Sequence, residues 1–389
     1  MTNTEPPFQR IAAIDVLRGL VIVLMALDHI RDYMHVSGYA INPLNPDETT
    51  PLLYTTRWVT HFCAPTFVFL SGVSARLQIK RGMSHKQVSW RLLTRGLWLV
   101  ALELTIISFA WAWSFPYMIF LQVIFAIGVS MVILSALIFL PRAAVLVIGA
   151  VIIIGHNTIS GVDPQTLGAF GPVYQLGFQL VIAPPSLFGA YPVIPWLGIM
   201  ALGYGFGSIF VAKDRDRTLM ILGGAMIALF LLLRGFNLFG NPTPWIPRDT
   251  LGDTILVFLD VRKQPPSPHY VLATLGPVLL AFPLLARMPP SIAGFFRTYG
   301  AVPLMAYVAH IYAVHAVAYA TRLIAGQSTA GMHNTIHNFV FVPEAMGGDG
   351  LPLWSVYVGW VIVLAVIYPL CRWWAHVKRT RRDWWLSYM

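Results

Sequence analysis

The 389-residue chain is short of charge: only 11% of its residues are Asp, Glu, Lys or Arg, where a soluble domain carries about a quarter. That shortage excludes a disordered chain, a nucleic-acid-binding arm and an ordinary cytosolic enzyme. Cysteine is nearly absent. Cys63 and Cys371 both fall inside apolar segments and read as reduced core residues that say little about redox compartment. HExxH, CxxC, a Walker A loop and a GxSxG elbow are all missing, so nucleophilic-serine chemistry has no support. The HNTIH of 333–337 sets two histidines four apart but offers no third ligand, so no metal is expected. No repeat and no low-complexity tract is visible. A cleavable signal is not expected either, because the first apolar run carries charges and lacks a small-residue cleavage site.

What is present is apolar: 57% of the residues come from the AVILMFWYC set, with a mean hydropathy of +0.67. Ten apolar segments can be placed, at 12–34, 57–78, 92–113, 117–139, 143–156, 193–212, 217–237, 269–287, 299–323 and 352–373. Ten spanning helices of about 20 residues use about 200 residues, and no soluble domain fits between them. The expected fold is therefore all-α: a polytopic integral membrane protein with about ten transmembrane helices in one domain, 1–389. Lys and Arg outnumber Asp and Glu by 26 to 16. With the N-terminus inside, the inner loops hold 18 of the cations, Arg10 and Arg382 among them, and the outer side holds 7. That asymmetry predicts both termini in the cytoplasm, with membrane lipids and not nucleic acid as the partner of the positive charge, and a bacterial inner membrane as the location. The long outer loops at 38–54, 160–192 and 326–350 are rich in Pro, Gly and aromatics. They read either as the cover of a cavity on that side or as plain connectors.

Ionisable side chains at membrane depth are costly unless paired, which makes them functional candidates. The first segment, RIAAIDVLRGLVIVLMALDHIRDYMHV (10–36), holds several. Asp15 and Arg18 lie three apart and read as an ion pair at a helix start. Asp28, Arg31, Asp32 and His35 follow at i, i+3, i+4 and i+7 as a polar stripe. His29 points about 100° away from Asp28. In the second segment Arg57 and His61 share a face, and Pro65 is expected to bend the helix. His29 and His61 should lie at equal depth on adjacent antiparallel helices, about 6–8 Å in. They are expected either to meet in one pocket or to serve as helix–helix hydrogen bonds. In the ninth segment His310 sits near mid-membrane with Tyr307 one turn before it, and His315 shares a face with Tyr312 and Tyr319. Tyr and His together suit proton handling or an aromatic packing face. Glu103 is expected in the polar cluster or paired with an Arg. Gln122 is expected in the outer third of its helix, as an oxyanion donor or a helix–helix bond. The inner stretch RLQIKRGMSHKQVSWRLLTRG (76–96) packs Arg76, Lys80, Arg81, Lys86, Arg91 and Arg95 together. It reads as a phosphate-binding cluster or as the positive-inside signal.

The strings RIAAIDVLRGLVIVLMALDHIRDY and THFCAPTFVFLSGVSARL resemble the opening of the heparan-alpha-glucosaminide N-acetyltransferase-like family of membrane acyltransferases. YPVIPWLGIMALGYGFG (191–207), YGAVPLMAYVAHIYAVH (299–315) and FPYMIFLQVIFAIG (115–128) resemble its later core helices. The resemblance implies acetyl-CoA as donor, entering from the cytoplasm, and a sugar acceptor, a glycan or glycolipid, held on the far side. Asp15, Arg18, Gln122 and His310 match family positions, and His29 falls where lysosomal members carry an Asn. Those members place a reactive His before the second helix, whereas residues 36–56 here contain none, which implies direct transfer in place of an acetyl-His intermediate.

Together these readings predict a transmembrane acetyltransferase. His29 and His61, with Asp28 or Asp32, His310 and Gln122, would form the catalytic group. Arg76, Lys80, Arg81, Arg91 and Arg95 would hold the CoA head, and Arg57, Tyr307 and His35 would touch the acceptor. The rival is a proton-coupled transporter or lipid-binding membrane protein without acyl transfer. A homodimer stays open.

Overall fold

The computed structural model describes residues 11–36, 41–342, 350–381 and 383–388. Arg10 and Arg382, counted above for orientation, lie outside them, as do parts of the 38–54 and 326–350 loops. Helix α1 (Ala12–Met34) is 23 residues of Ala, Val, Ile, Leu and Met with charged ends, about 35 Å long. Helix α2 (Pro51–Trp58) starts at Thr50, whose hydroxyl accepts from Leu53 N–H. A 3₁₀ turn at Val59–Phe62 joins it to α3 (Cys63–Lys80). The turn has a local cause. Pro65 has no N–H to return to the His61 carbonyl four residues earlier, and Tyr270 Oη donates to that carbonyl at 2.9 Å.

Helix α4 (His85–Leu102) opens with a Ser84–Gln87 capping box. It passes through a π turn at Glu103–Ile107 into α5 (Ser108–Ala112). Then follow β1 (Ile119–Leu121), α6 (Val123–Leu137), α7 (Arg142–Ile159), α8 (Gly171–Phe178), β2 (Val181–Ala183) and β3 (Leu187–Gly189). Next come α9 (Val193–Phe206), α10 (Arg215–Gly235), α11 (Leu251–Leu259), α12 (Pro268–Ala286), α13 (Pro290–Gly300), α14 (Pro303–Ile324), α15 (Thr335–Phe341) and α16 (Leu353–Thr380).

The described residues are 74% helix, but the fold is not purely helical. Strand β1 pairs in parallel with β3, and β2 pairs antiparallel with β3. The chain leaves α5 at Trp113, in the left-handed region at φ 47°. The extended backbone that follows must find hydrogen-bond partners, and the 160–192 loop supplies them as a strand.

Among the described residues, eight helices are long and apolar enough to cross a membrane. They coincide with the expected segments from 57–78 onward, except 117–139. Helix α1 falls outside that group because it carries Asp15, Arg18, Asp28, Arg31 and Asp32. The expected 117–139 segment is helical only over Val123–Leu137, 15 residues. The expected 299–323 segment is broken as well. Helix α13 ends at Gly300 and α14 begins at Pro303, because proline's fixed φ starts a helix but cannot continue one. Helix α1 presses directly on α13. An added Cβ at Gly19 would stand 1.8 Å from Phe296 O, and one at Gly300 would stand 1.8 Å from Asp15 O. Only glycine permits this backbone-on-backbone approach.

Candidate functional site

Two histidines meet in the interior. His29 of α1 and His310 of α14 are 281 residues apart, and His29 Nδ1 lies 2.8 Å from His310 Nε2. Their rings stack at 5.0 Å and 15°. His310 Nδ1 faces the Ala306 carbonyl one turn earlier at 3.2 Å. A carbonyl only accepts, so Nδ1 carries the hydrogen, and a neutral His310 offers Nε2 as an acceptor. His29 Nδ1–H therefore donates to His310, and His29 Nε2 is left with its lone pair bare. Trp111 meets His29 edge-on at 5.0 Å, and Tyr307 meets His310 edge-on at 5.3 Å. His310 is fully buried, while His29 keeps some accessible surface.

A network of charges lies one helical position away. Arg31 Nη2 reaches Asp28 Oδ1 at 3.0 Å and also binds Asp32. Arg57 Nη1 reaches the other Asp28 oxygen at 3.7 Å, Thr60 Oγ1 at 2.9 Å and His61 Nδ1 at 3.2 Å. A guanidinium only donates, so His61 Nδ1 accepts and its hydrogen sits on Nε2, which is buried without a partner. The expected His29–His61 meeting is thus replaced by two separate pairs, His29 with His310 and His61 with Arg57. The Asp28 and Asp32 carboxylates are bound to arginines and orient neither imidazole. His35 lies just past the end of α1, buried and bridged through its backbone to Leu351, and so leaves the stripe that ideal helix spacing gives it.

A third group holds unsatisfied polar atoms. Gln122 is not inside a helix but at the N-cap of α6. Its backbone N–H donates to Glu103 Oε1 at 2.9 Å. Glu103, fully buried, therefore spends that oxygen as an acceptor at the N-terminal end of α6 instead of pairing with an Arg. Gln122 Nε2 and Glu103 Oε2 are buried without a hydrogen-bond partner. Such atoms cost about 1–3 kcal/mol each when left bare. His315 takes no part. Its two ring nitrogens face the Ala110 and Met332 carbonyls, at 3.2 Å and 2.9 Å, and Trp113 stacks on it at 4.3 Å. The HNTIH stretch is partly helical, in α15, and His333 Nδ1 faces the Trp113 carbonyl at 3.3 Å.

The cation-rich end of the bundle encloses a cavity of about 530 Å³. Arg81, Arg91 and Arg95 line it, and Arg18, Lys378, Gln78, Ser71, Ser74 and Tyr388 join them. Arg95 Nε has no hydrogen-bond partner. Arg18 is held by Asp15 at 3.5 Å and by Ser74 Oγ at 2.5 Å. Two expected members are elsewhere. Arg76 turns to α9, with Nε on Ser208 at 3.1 Å and its guanidinium over the Tyr204 ring, and Lys80 is exposed outside the cavity. Helical periodicity separates these faces only once the neighbour is known. Lys378 and Tyr388 gave no signal, because they come from the far end of the sequence. Trp111 gave none either, because its role is defined by a contact across 82 positions.

Residues 10–239 match the family model described as heparan-alpha-glucosaminide N-acetyltransferase, catalytic. The match contains His29, Asp28, Arg57, His61, Gln122 and the basic cluster. His310 and the 299–315 stretch lie beyond it. No curated protein matches the chain. A match over more than half the sequence, on a bundle of membrane-spanning helices, places this chain in the heparan-alpha-glucosaminide N-acetyltransferase catalytic family, a family of membrane acetyltransferases.

Proposed function

We propose that the protein moves an acetyl group from cytoplasmic acetyl-CoA to a sugar hydroxyl or amine on the outer side of the membrane. The observation that carries this reading is the His29–His310 pair, which leaves His29 Nε2 bare in the bundle interior. The basic cavity supports it from the other side. Ten spans, α1 and α6 included, with both termini in the cytoplasm, would put that cavity on the side where CoA is found. Arg81, Arg91 and Arg95 suit its phosphates, and Ser71, Ser74 and Gln78 suit the polar arm that follows. CoA is too charged to cross a bilayer, whereas an acetyl group need only pass through the protein.

His29 Nε2 takes the proton from the acceptor as its oxygen or nitrogen attacks the thioester carbonyl. His310 accepts from the other ring nitrogen and steadies the imidazolium. Collapse of the tetrahedral intermediate breaks the C–S bond, and the imidazolium returns its proton to the leaving thiolate. Gln122 Nε2, which lacks a partner, is the donor we assign to the oxyanion. General-base catalysis contributes about 10²–10⁴-fold. His29→Ala should therefore lower kcat by that order in an assay with labelled acetyl-CoA, with the protein still folded. Wild-type turnover in His29→Ala would end the assignment. A proton-coupled carrier would use the same histidines but has no need of the basic cavity. Thermal stabilisation of the purified protein by acetyl-CoA is expected for the transferase and not for the carrier.

A further inference from the structure

Lys263 sits in the loop between α11 and α12, beyond the segment that matches the family. The loop is pinned on both sides. Arg262 N–H donates to Asn241 Oδ1 at 2.9 Å, Ser267 N–H to Arg262 O at 2.9 Å, and Trp58 Nε1 to Leu259 O at 2.9 Å. Lys263 is thereby held over the bundle. Its Nζ stands 5.7 Å from the centre of the Tyr191 ring. Tyr191 packs on Trp196 at 5.1 Å, Trp196 on Tyr270 at 6.4 Å, and Tyr270 on His61 at 5.3 Å. From this position the ammonium is within electrostatic reach of Asp28, Asp32, His29 and His61.

The carboxylates nearby are already engaged. Asp28 is shared by Arg31 and Arg57, and Asp32 is bound to Arg31. Lys263 forms no ion pair or hydrogen bond among the described residues; its ammonium lies over the Tyr191 ring face. Three cations thus face two anions, leaving one positive charge in excess. An unneutralised charge in such a setting is costly. His29, Asp32, Arg57, Tyr191 and Lys263 all keep part of their surface accessible, so the excess charge is not sealed inside the bundle.

We propose that Lys263, seated on Tyr191, is an anion subsite at the loop-rich mouth that binds a negatively charged substituent of the acceptor sugar: a phosphate, sulfate or carboxylate. The identity of the acceptor class rests on the acetyltransferase reading of His29 and His310; the anion subsite does not. The donor's phosphates are met at the opposite end by Arg81, Arg91 and Arg95, so the two anions do not compete.

The test uses the full chain in detergent, labelled acetyl-CoA, and glucosamine, glucosamine 6-phosphate and glucosamine 6-sulfate as acceptors. A charge-assisted contact should lower the KM of each charged sugar about tenfold below that of glucosamine. Lys263→Gln should erase that difference, with kcat at saturating acceptor changed less than about twofold. Lys263→Arg should keep it. A preference for only one charged sugar would name the substituent. Equal KM values in the wild type would overturn the proposal. A fall in kcat for all three sugars at constant KM would also overturn it, since that marks a cation acting on the oxyanion. Thermal stabilisation separates the two readings. If no sugar is acetylated but glucosamine 6-phosphate stabilises the wild type and not Lys263→Gln, the transferase reading fails and the subsite stands. If neither charged sugar stabilises the wild type while acetyl-CoA does, the subsite falls alone.

Discussion

Replacing His310 by alanine would remove the acceptor for His29 Nδ1–H, now 2.8 Å away, and free the His29 ring to turn. We expect kcat to fall by about 10²-fold or more with the KM for acetyl-CoA unchanged, because His310 acts through the general base and not on the donor. His310→Gln places a carbonyl oxygen near the same spot and should recover part of the loss. A kcat of His310→Gln no higher than that of His310→Ala would mean that the hydrogen bond is unimportant. A second residue-level prediction concerns stability. Tyr270 Oη satisfies the His61 carbonyl that Pro65 leaves open, at 2.9 Å. Tyr270→Phe should cost about 1–3 kcal/mol, the usual range for a buried acceptor left bare, and should appear as a lower midpoint of thermal unfolding with the bundle still assembled. Of these atoms, the need for a donor to His61 O could be read from Pro65 in the sequence. That the donor is Tyr270, 209 positions on, could not.

Among the helices, α1 is the one that must not move, because it carries His29, Asp28 and Arg31 together. Its seat on α13 is a contact of bare backbone at Gly19 and Gly300. Gly19→Val would drive a side chain into the Phe296 carbonyl and part the two helices. We expect most of such a variant to be lost from the monodisperse peak on size exclusion, while Gly224→Val, where no heavy atom lies within 4 Å, should behave as wild type. The π turn at Glu103–Ile107 belongs to this scale as well. It lies where Glu103 turns inward to cap α6, and π turns gather at functional sites. Hydropathy placed the apolar segments well because it is a local property. It missed the strand at 119–121 and the break at 301–302 because both depend on what the neighbouring backbone offers.

At the scale of the molecule, cations collect at one end and Asn-, Pro- and aromatic-rich loops at the other. Charge reversal at Arg91 and Arg95 should raise the KM for acetyl-CoA by tenfold or more, since each charged contact is worth about 1.5–3 kcal/mol. Reversal at Arg76, which is turned toward Ser208, should leave that KM unchanged. Initial rates measured over a range of acetyl-CoA concentrations would check both. The proposed orientation can be tested by labelling. A membrane-impermeant maleimide should label Lys80→Cys only in inside-out vesicles and Pro247→Cys only in right-side-out vesicles. Native Cys63 and Cys371 are buried and should stay silent. The opposite pattern would invert the proposed direction of transfer.

Membrane residence, the order of the apolar helices and the gathering of positive charge all follow from composition and hydropathy along the chain. So does the concentration of ionisable groups on α1. Each is a property of neighbouring residues, and a one-dimensional pattern is enough to carry it. Which imidazole meets His29, which arginines face the basic cavity and where Lys263 stands are different matters. Each depends on which helix face lies against which, and a helix displays every face until a neighbour covers one. By depth along the helices His61 was the expected partner, since His310 was placed nearer mid-membrane. In the structure His29 faces His310 and His61 faces Arg57, in a bundle where α1 lies backbone-on-backbone against α13 at Gly19 and Gly300.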